Sequence, residues 1–133
     1  MDLNEKTLLV IDDQKDVCEI IKGHFESQGM RVVCAVEGAA GFQLVEYQPP
    51  DCVLLDIRIP EGEDGLTFLR KIRSFRNDNP DLEDKIRKLP VIMLTGAGTG
   101  MRELFDLEGI QGYVEKPLDL KALQAKIEEV LSS

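Results

Sequence analysis

Pro50-Asp51-Cys52-Val53-Leu54-Leu55-Asp56-Ile57-Arg58-Ile59-Pro60 sets an unbroken apolar run, Cys52–Leu55, directly against a carboxylate. A short run that does not alternate with polar residues fits a strand buried on both faces, the usual condition in a parallel sheet. The pattern recurs at Leu8–Ile11 before Asp12-Asp13 and at Val91–Leu94 before Thr95. Val32–Val36 and a shorter Tyr113–Val114 complete five such runs. Helical stripes fill the intervals. Val17, Ile20, Ile21, His24 and Phe25 share one face ahead of Gly29, and Ala39, Phe42 and Val45 to Tyr47 share another ahead of Pro49-Pro50. Phe68, Leu69, Ile72 and Phe75 form a third stripe, and Met101, Leu104 and Phe105 a fourth. Leu120, Leu123, Ile127 and Val130 form the last, with Asp119 as its N-cap. Five alternations of strand and helix predict an α/β fold, a parallel five-stranded sheet with helices on both faces.

Arg76 to Leu89 is long for a helix-to-strand connection, which usually takes about 2–6 residues. Asn79-Pro80 reads as an N-cap followed by proline at the first helical position, and Leu82, Ile86 and Leu89 fall at helical spacing. An extra short amphipathic helix is therefore expected from Pro80 to Lys88. Seven of the sixteen basic residues (Arg70, Lys71, Arg73, Arg76, Lys85, Arg87 and Lys88) lie between 70 and 88, which is locally +3 in a chain of net charge −9. That segment reads as a solvated ridge, or as a docking surface for an acidic partner.

At 133 residues, 43% apolar and 31% charged, the chain is expected to form one domain over 1–133. Its acidity argues against direct nucleic-acid binding. No apolar run reaches the roughly 18 residues of a membrane span, and Met1 to Lys6 is no signal peptide, so a cytoplasmic location is expected. Cys18, Cys34 and Cys52 are odd in number, widely spaced and set in apolar runs, and are expected to be buried reduced thiols. The single histidine, His24, lies on the apolar face of its helix and reads as a partly buried packing residue.

In an open parallel sheet, ligands bind beyond the carboxyl ends of the strands. Those ends carry Asp12-Asp13, Asp56, Thr95 and Glu115-Lys116-Pro117. Two carboxylates at 4 Å repel by roughly 4 kcal/mol at an effective dielectric of 20, so a cluster of such groups calls for a cation. Hard oxygen donors contributed by few side chains point to Mg²⁺, which keeps several waters and is often completed by a phosphate. Lys116 adds an ammonium and Thr95 a hydroxyl, a set suited to phosphoryl transfer onto a spare carboxylate.

Val10-Ile11-Asp12-Asp13, Pro50 to Pro60, Pro90-Val91-Ile92-Met93-Leu94-Thr95-Gly96 and Gly112-Tyr113-Val114-Glu115-Lys116-Pro117, in that order, resemble the receiver domains of two-component response regulators. The resemblance covers essentially the whole chain. It implies the flavodoxin-like strand order 2-1-3-4-5, with Asp56 as the phosphoacceptor. It implies a Mg²⁺ site made by Asp12, Asp13, Asp56 and the backbone carbonyl of Arg58. Lys116 and Gly96 would serve the phosphoryl group, Thr95 would follow it when the domain switches, and Tyr113 would be the rotating aromatic. Lys116–Pro117 would be a cis bond. Arg58 and Ala97 would flank the path of an attacking water. The phosphodonor would be a sensor histidine kinase or a histidine phosphotransfer protein. The output would be a downstream partner or a phosphorylation-dependent dimer, through the face made by the 101–105 helix, the fifth strand and the last helix. Such a chain is a signalling switch, catalysing its own phosphoryl transfer and dephosphorylation, rather than an enzyme on an external substrate. Pro60 to Gly65 carries one residue more than the family pattern, and Gly96-Ala97-Gly98-Thr99-Gly100 is richer in glycine. No output domain is read within the sequence.

A different class, a Mg²⁺-dependent phosphohydrolase of the haloacid dehalogenase type, also uses an aspartyl phosphate. It needs a second aspartate two residues after the nucleophile, whereas Asp12 is followed by Asp13 and Gln14. A degenerate receiver acting only as scaffold is disfavoured because every site position is filled.

Overall fold

The computed structural model describes residues 3–56, 63–96 and 109–132. Five strands, β1 (Thr7–Ile11), β2 (Arg31–Ala35), β3 (Cys52–Asp56), β4 (Val91–Thr95) and β5 (Gly112–Glu115), form one parallel sheet of order β2-β1-β3-β4-β5. The helices are α1 (Lys15–Glu26), α2 (Gly38–Tyr47), α3 (Glu63–Arg73), α4 (Pro80–Arg87) and α5 (Leu120–Ser132). The expected Met101, Leu104 and Phe105 stripe and the glycine-rich start before it lie outside the described residues.

Period-two side-chain alternation divides the buried strands between two cores. Leu9, Ile11, Val53, Leu55, Val91 and Met93 pack with α2, α3 and α4 through Val45, Phe68, Leu69, Ile72 and Ile86. Leu8, Val10, Leu54, Ile92 and Leu94 pack on the other face with α1 and α5 through Ile21, Phe25, Leu123 and Ile127. Because β1, β3 and β4 are covered on both sides, every residue from Leu8 to Asp12 and from Cys52 to Asp56 is buried. That fixes the register of the strand ends where the polar residues sit.

The helix boundaries follow local chemistry. Gly29 takes φ +89° just beyond α1, a left-handed conformation that favours glycine. The Asn79 side chain accepts from the N–H groups of Asp81 and Leu82, which makes it the N-cap of the inserted α4. Asp119 does the same for α5 through Lys121 and Ala122. Ile20 and Tyr47, expected on buried faces, are exposed instead. Ile21 and Phe25 on α1 and Val45 on α2 fill the core positions, so a broad apolar stripe leaves its flank in solvent.

The basic 70–88 segment is partly internal wiring. Arg73 donates to the carbonyls of Gly109, Arg87 and Leu89 at 2.6 to 3.1 Å, binding the end of α3 to the end of α4 and the approach to β5. Arg87 donates back to the carbonyl of Arg73 at 3.2 Å. A planar guanidinium with five donors can satisfy several carbonyls at once, which a hydropathy reading of a charged ridge does not register.

The expectation of three separate buried thiols is corrected. Cys18 on α1 and Cys34 on β2 are joined in a disulfide, with Cα atoms 6.4 Å apart, and Cys34 is exposed. β2 is the edge strand, with a neighbouring strand on one side only, so although Val32 and Ala35 are buried on its two faces, Cys34 stays exposed where α1 crosses the edge. Cys52 stays a buried free thiol, and burial is the main cause that pushes its pKa up to about 12.

Candidate functional site

The three acids meet at the carboxyl ends of the two central strands. Asp12 follows β1 and Asp56 ends β3, and both are 2% exposed, whereas Asp13 is exposed. One carboxylate oxygen from each of Asp12, Asp13 and Asp56 lies within 4.8 Å of the others. Adjacent register in the sheet brings this about: Ile11 pairs with Leu55, so the residues that follow emerge side by side.

Lys116 reaches this cluster from the end of β5. Its Nζ donates to Asp12 Oδ2 at 2.9 Å, to Asp56 Oδ2 at 3.3 Å and to Gln14 Oε1 at 3.2 Å. Its backbone N–H donates to the carbonyl of Thr95 at 2.7 Å, which ties the β5 end to the β4 end. The Lys116–Pro117 bond is cis, as the resemblance implies. Burial works to lower the pKa of this ammonium, but its hydrogen bonds and charge interactions with Asp12 and Asp56 outweigh burial and raise it above 10.5. The stabilisation from that pairing is therefore fully present below the ordinary lysine value and fades only as pH rises through the raised one. The charge is held across the neutral range.

Asp12 is further fixed by its backbone N–H, which donates to Ala35 O at 3.0 Å, and by Gln14 N–H, which donates to Asp12 Oδ1 at 2.9 Å. Gln14 was not singled out in the sequence. Its place directly after Asp13, in the turn that leaves β1, was the available signal.

Thr95, at the end of β4, is 1% exposed, and its hydroxyl has no hydrogen-bond partner among the described residues. Such a group costs about 1–3 kcal/mol when left unsatisfied, so it marks a place where an acceptor from outside the chain fits. Tyr113, which pairs with Met93 in the β4–β5 register two positions before the Thr95–Glu115 pair, is half-buried and packs against the α2/α3 core. Gly96 follows Thr95 and is half-buried. Arg58 and Ala97 lie outside the described residues. His24 is a packing residue, as expected: its Nε2 lies 2.8 Å from Gln124 Oε1, bridging α1 and α5.

Three hard carboxylate donors around one point, an ammonium on two of them and an orphaned hydroxyl on the neighbouring strand fit a divalent cation beside a tetrahedral anion. Comparison with known proteins agrees in fold. A two-component response regulator from Clostridium difficile is 26% identical, with a TM-score of 0.80 over 96% of this chain and 97% of that one. The receiver domain of a TMAO respiratory system response regulator is 24% identical, with a TM-score of 0.79 over 96% of this chain and 97% of that one. A chemotaxis response regulator of Vibrio cholerae is 18% identical, with a TM-score of 0.80 over 96% and 99%. No described helix is long and apolar enough to cross a membrane. Residues 8–128, from the first strand into the last helix, match the response regulator receiver domain, and it is to that family of two-component signalling proteins that this chain belongs.

Proposed function

We propose that Asp56 accepts a phosphoryl group in a Mg²⁺-dependent reaction, and that the acyl phosphate switches a partner-binding face. The observation that carries the reading is the meeting of Asp12, Asp13 and Asp56 within 4.8 Å, with Lys116 bonded to two of them. Asp12, Asp13 and Asp56 would hold the cation, with the Arg58 carbonyl as a further donor. A bound Mg²⁺ supplies charge neutralisation for the transferring phosphoryl oxygens. Asp56 offers a carboxylate oxygen to phosphorus, and the donor's leaving group departs with the electron pair of the broken bond. In this reading the Lys116 ammonium pairs with a phosphoryl oxygen and the Thr95 hydroxyl donates to another, a role supported by that hydroxyl's having no hydrogen-bond partner among the described residues. The donor in this reading is a sensor histidine kinase or a histidine phosphotransfer protein.

In this reading the responsive face comprises β5 and α5, with Thr95 and Tyr113 linking it to the acids; the 101–105 segment expected to join it lies outside the described residues. A second copy of the chain or a downstream protein would bind there.

The test of the site is Mg²⁺ titration, followed by chemical shift or intrinsic fluorescence. Wild type should saturate, and Asp13→Ala should weaken Mg²⁺ at least about tenfold, since even outer-shell partners of a metal typically cost that much. Equal affinity in the two proteins would remove Asp13 from the ligand set. Thr95→Ala should still accept one phosphate from a small phosphodonor while its phosphorylation-induced shifts around Tyr113 shrink. Shifts of wild-type size would separate Thr95 from the switch. Incubation with phosphoesters discriminates the phosphohydrolase: continuous turnover would favour it, whereas one phosphate per chain favours the receiver.

A further inference from the structure

We propose that Cys18 and Cys34 are a reversible dithiol–disulfide pair, oxidised through Cys34 by small-molecule disulfides, whose closure clamps the loop that carries Asp12 and Asp13. The two cysteines are bonded across α1 and the edge strand β2, with Cα atoms 6.4 Å apart, inside the range that a disulfide spans without backbone movement.

The pair differs from a buried structural bridge in its access. Cys34 is exposed, and both cysteines line a surface cavity of about 300 Å³ together with Asp12, Lys15, Glu19, Lys22, Ala35 and Val36. Lys15 and Lys22 are exposed and put positive charge beside the sulfurs, which favours the thiolate needed for exchange; Glu19 and Asp12 oppose them. Cys18 is largely covered, so the exposed partner is the entry point and the covered one resolves the intermediate. Cys52 is fully buried and takes no part.

The exchange balances without further reagents. The Cys34 thiolate attacks one sulfur of the small disulfide, whose S–S bond breaks and releases the first thiolate. The Cys18 thiolate then attacks Cys34 Sγ, expelling the second. Two electrons pass from the cysteine pair to the reagent, and the two protons end on the released thiols.

The bridge bears on the acids through three hydrogen bonds. Cys18 N–H donates to Gln14 O at 3.4 Å, and Gln14 N–H donates to Asp12 Oδ1 at 2.9 Å. Asp12 N–H donates in turn to Ala35 O, the residue after Cys34, at 3.0 Å. The bridge therefore closes a ring around the β1–α1 turn. Oxidation restricts the turn, and reduction frees the start of α1 to move away from β2. None of this depends on the reading of Asp56 as phosphoacceptor.

The experiment treats the fully reduced protein with oxidised glutathione, counts thiols in denaturant and maps the linked peptides. Three titratable thiols should fall to one, with a Cys18–Cys34 peptide pair, and excess reduced glutathione should restore three. Cys18→Ser should stop at one glutathione on Cys34, while Cys34→Ser should take up none. Reduction should lower the melting temperature by on the order of 10 °C, given the closed loop, and should speed amide exchange at residues 12–18. Three thiols surviving treatment, a stable mixed disulfide on the wild type, or glutathione on Cys18 in the Cys34→Ser variant would each overturn the proposal. So would a bridge that reduced glutathione cannot reopen, or one whose reduction leaves exchange at 12–18 unchanged.

Discussion

Wild-type chain incubated with acetyl phosphate and Mg²⁺ should gain one phosphate, and Asp56→Asn should gain none. Asp56 and Asp12 are equally buried, so exposure does not choose between them. Position does. Asp12 Oδ1 accepts from Gln14 N–H and Asp12 Oδ2 from Lys116 at 2.9 Å, which anchors Asp12 in the turn that leaves β1. Lys116 is farther from Asp56 Oδ2, at 3.3 Å, and the unmet Thr95 hydroxyl closes β4, the strand beside β3. Asparagine keeps the shape and an acceptor for Lys116 but lacks the carboxylate nucleophile. It also removes one of three clustered charges, so the fold should not suffer. Intact-mass measurement decides the matter. Stoichiometric phosphate on Asp56→Asn would move the acceptor elsewhere, with Asp13, the exposed acid, the next to map.

Lys116→Met should destabilise the metal-free protein by about 2 kcal/mol, seen as a fall of about 1 M in the urea midpoint. Removing one partner of a buried ion pair costs roughly 3–5 kcal/mol because the other charge is stranded; here two carboxylates would be. The figure is set lower because the Lys116 side chain is 21% exposed and solvent screens part of the interaction. Methionine retains most of the apolar stem, which isolates the effect of the ammonium. Mg²⁺ should raise the midpoint of the variant more than that of wild type, because a second cation replaces the missing one. An unchanged midpoint in EDTA would mean that the acids do not depend on Lys116. Equal Mg²⁺ gains in both proteins would mean that cation and ammonium do not share the site.

Much of this was legible in the linear sequence. Apolar runs at 8–11, 52–55 and 91–94 specify strands covered on both faces, because such runs have no polar side to give to water. The acids and the threonine that end those runs must then emerge at one edge of the sheet. The inserted helix at 80–87 could be read from Asn79-Pro80 and its apolar spacing, since capping is local chemistry.

Tertiary structure decided what depends on where the sheet stops. Cys34 lies in a run that reads as buried, yet it is exposed because β2 is an edge, and its pairing with Cys18 exists only because α1 folds back over that edge. Arg73 reads as one charge in a basic ridge, but it satisfies three carbonyls that chain folding brings within reach. Gln14 reads as a loop residue until Lys116, about a hundred residues away, supplies the donor it accepts from. Local periodicity and capping act within a turn or a strand and can be seen in the chain itself. Edges, crossings and shared donors arise from contacts between distant segments, and no local pattern encodes them.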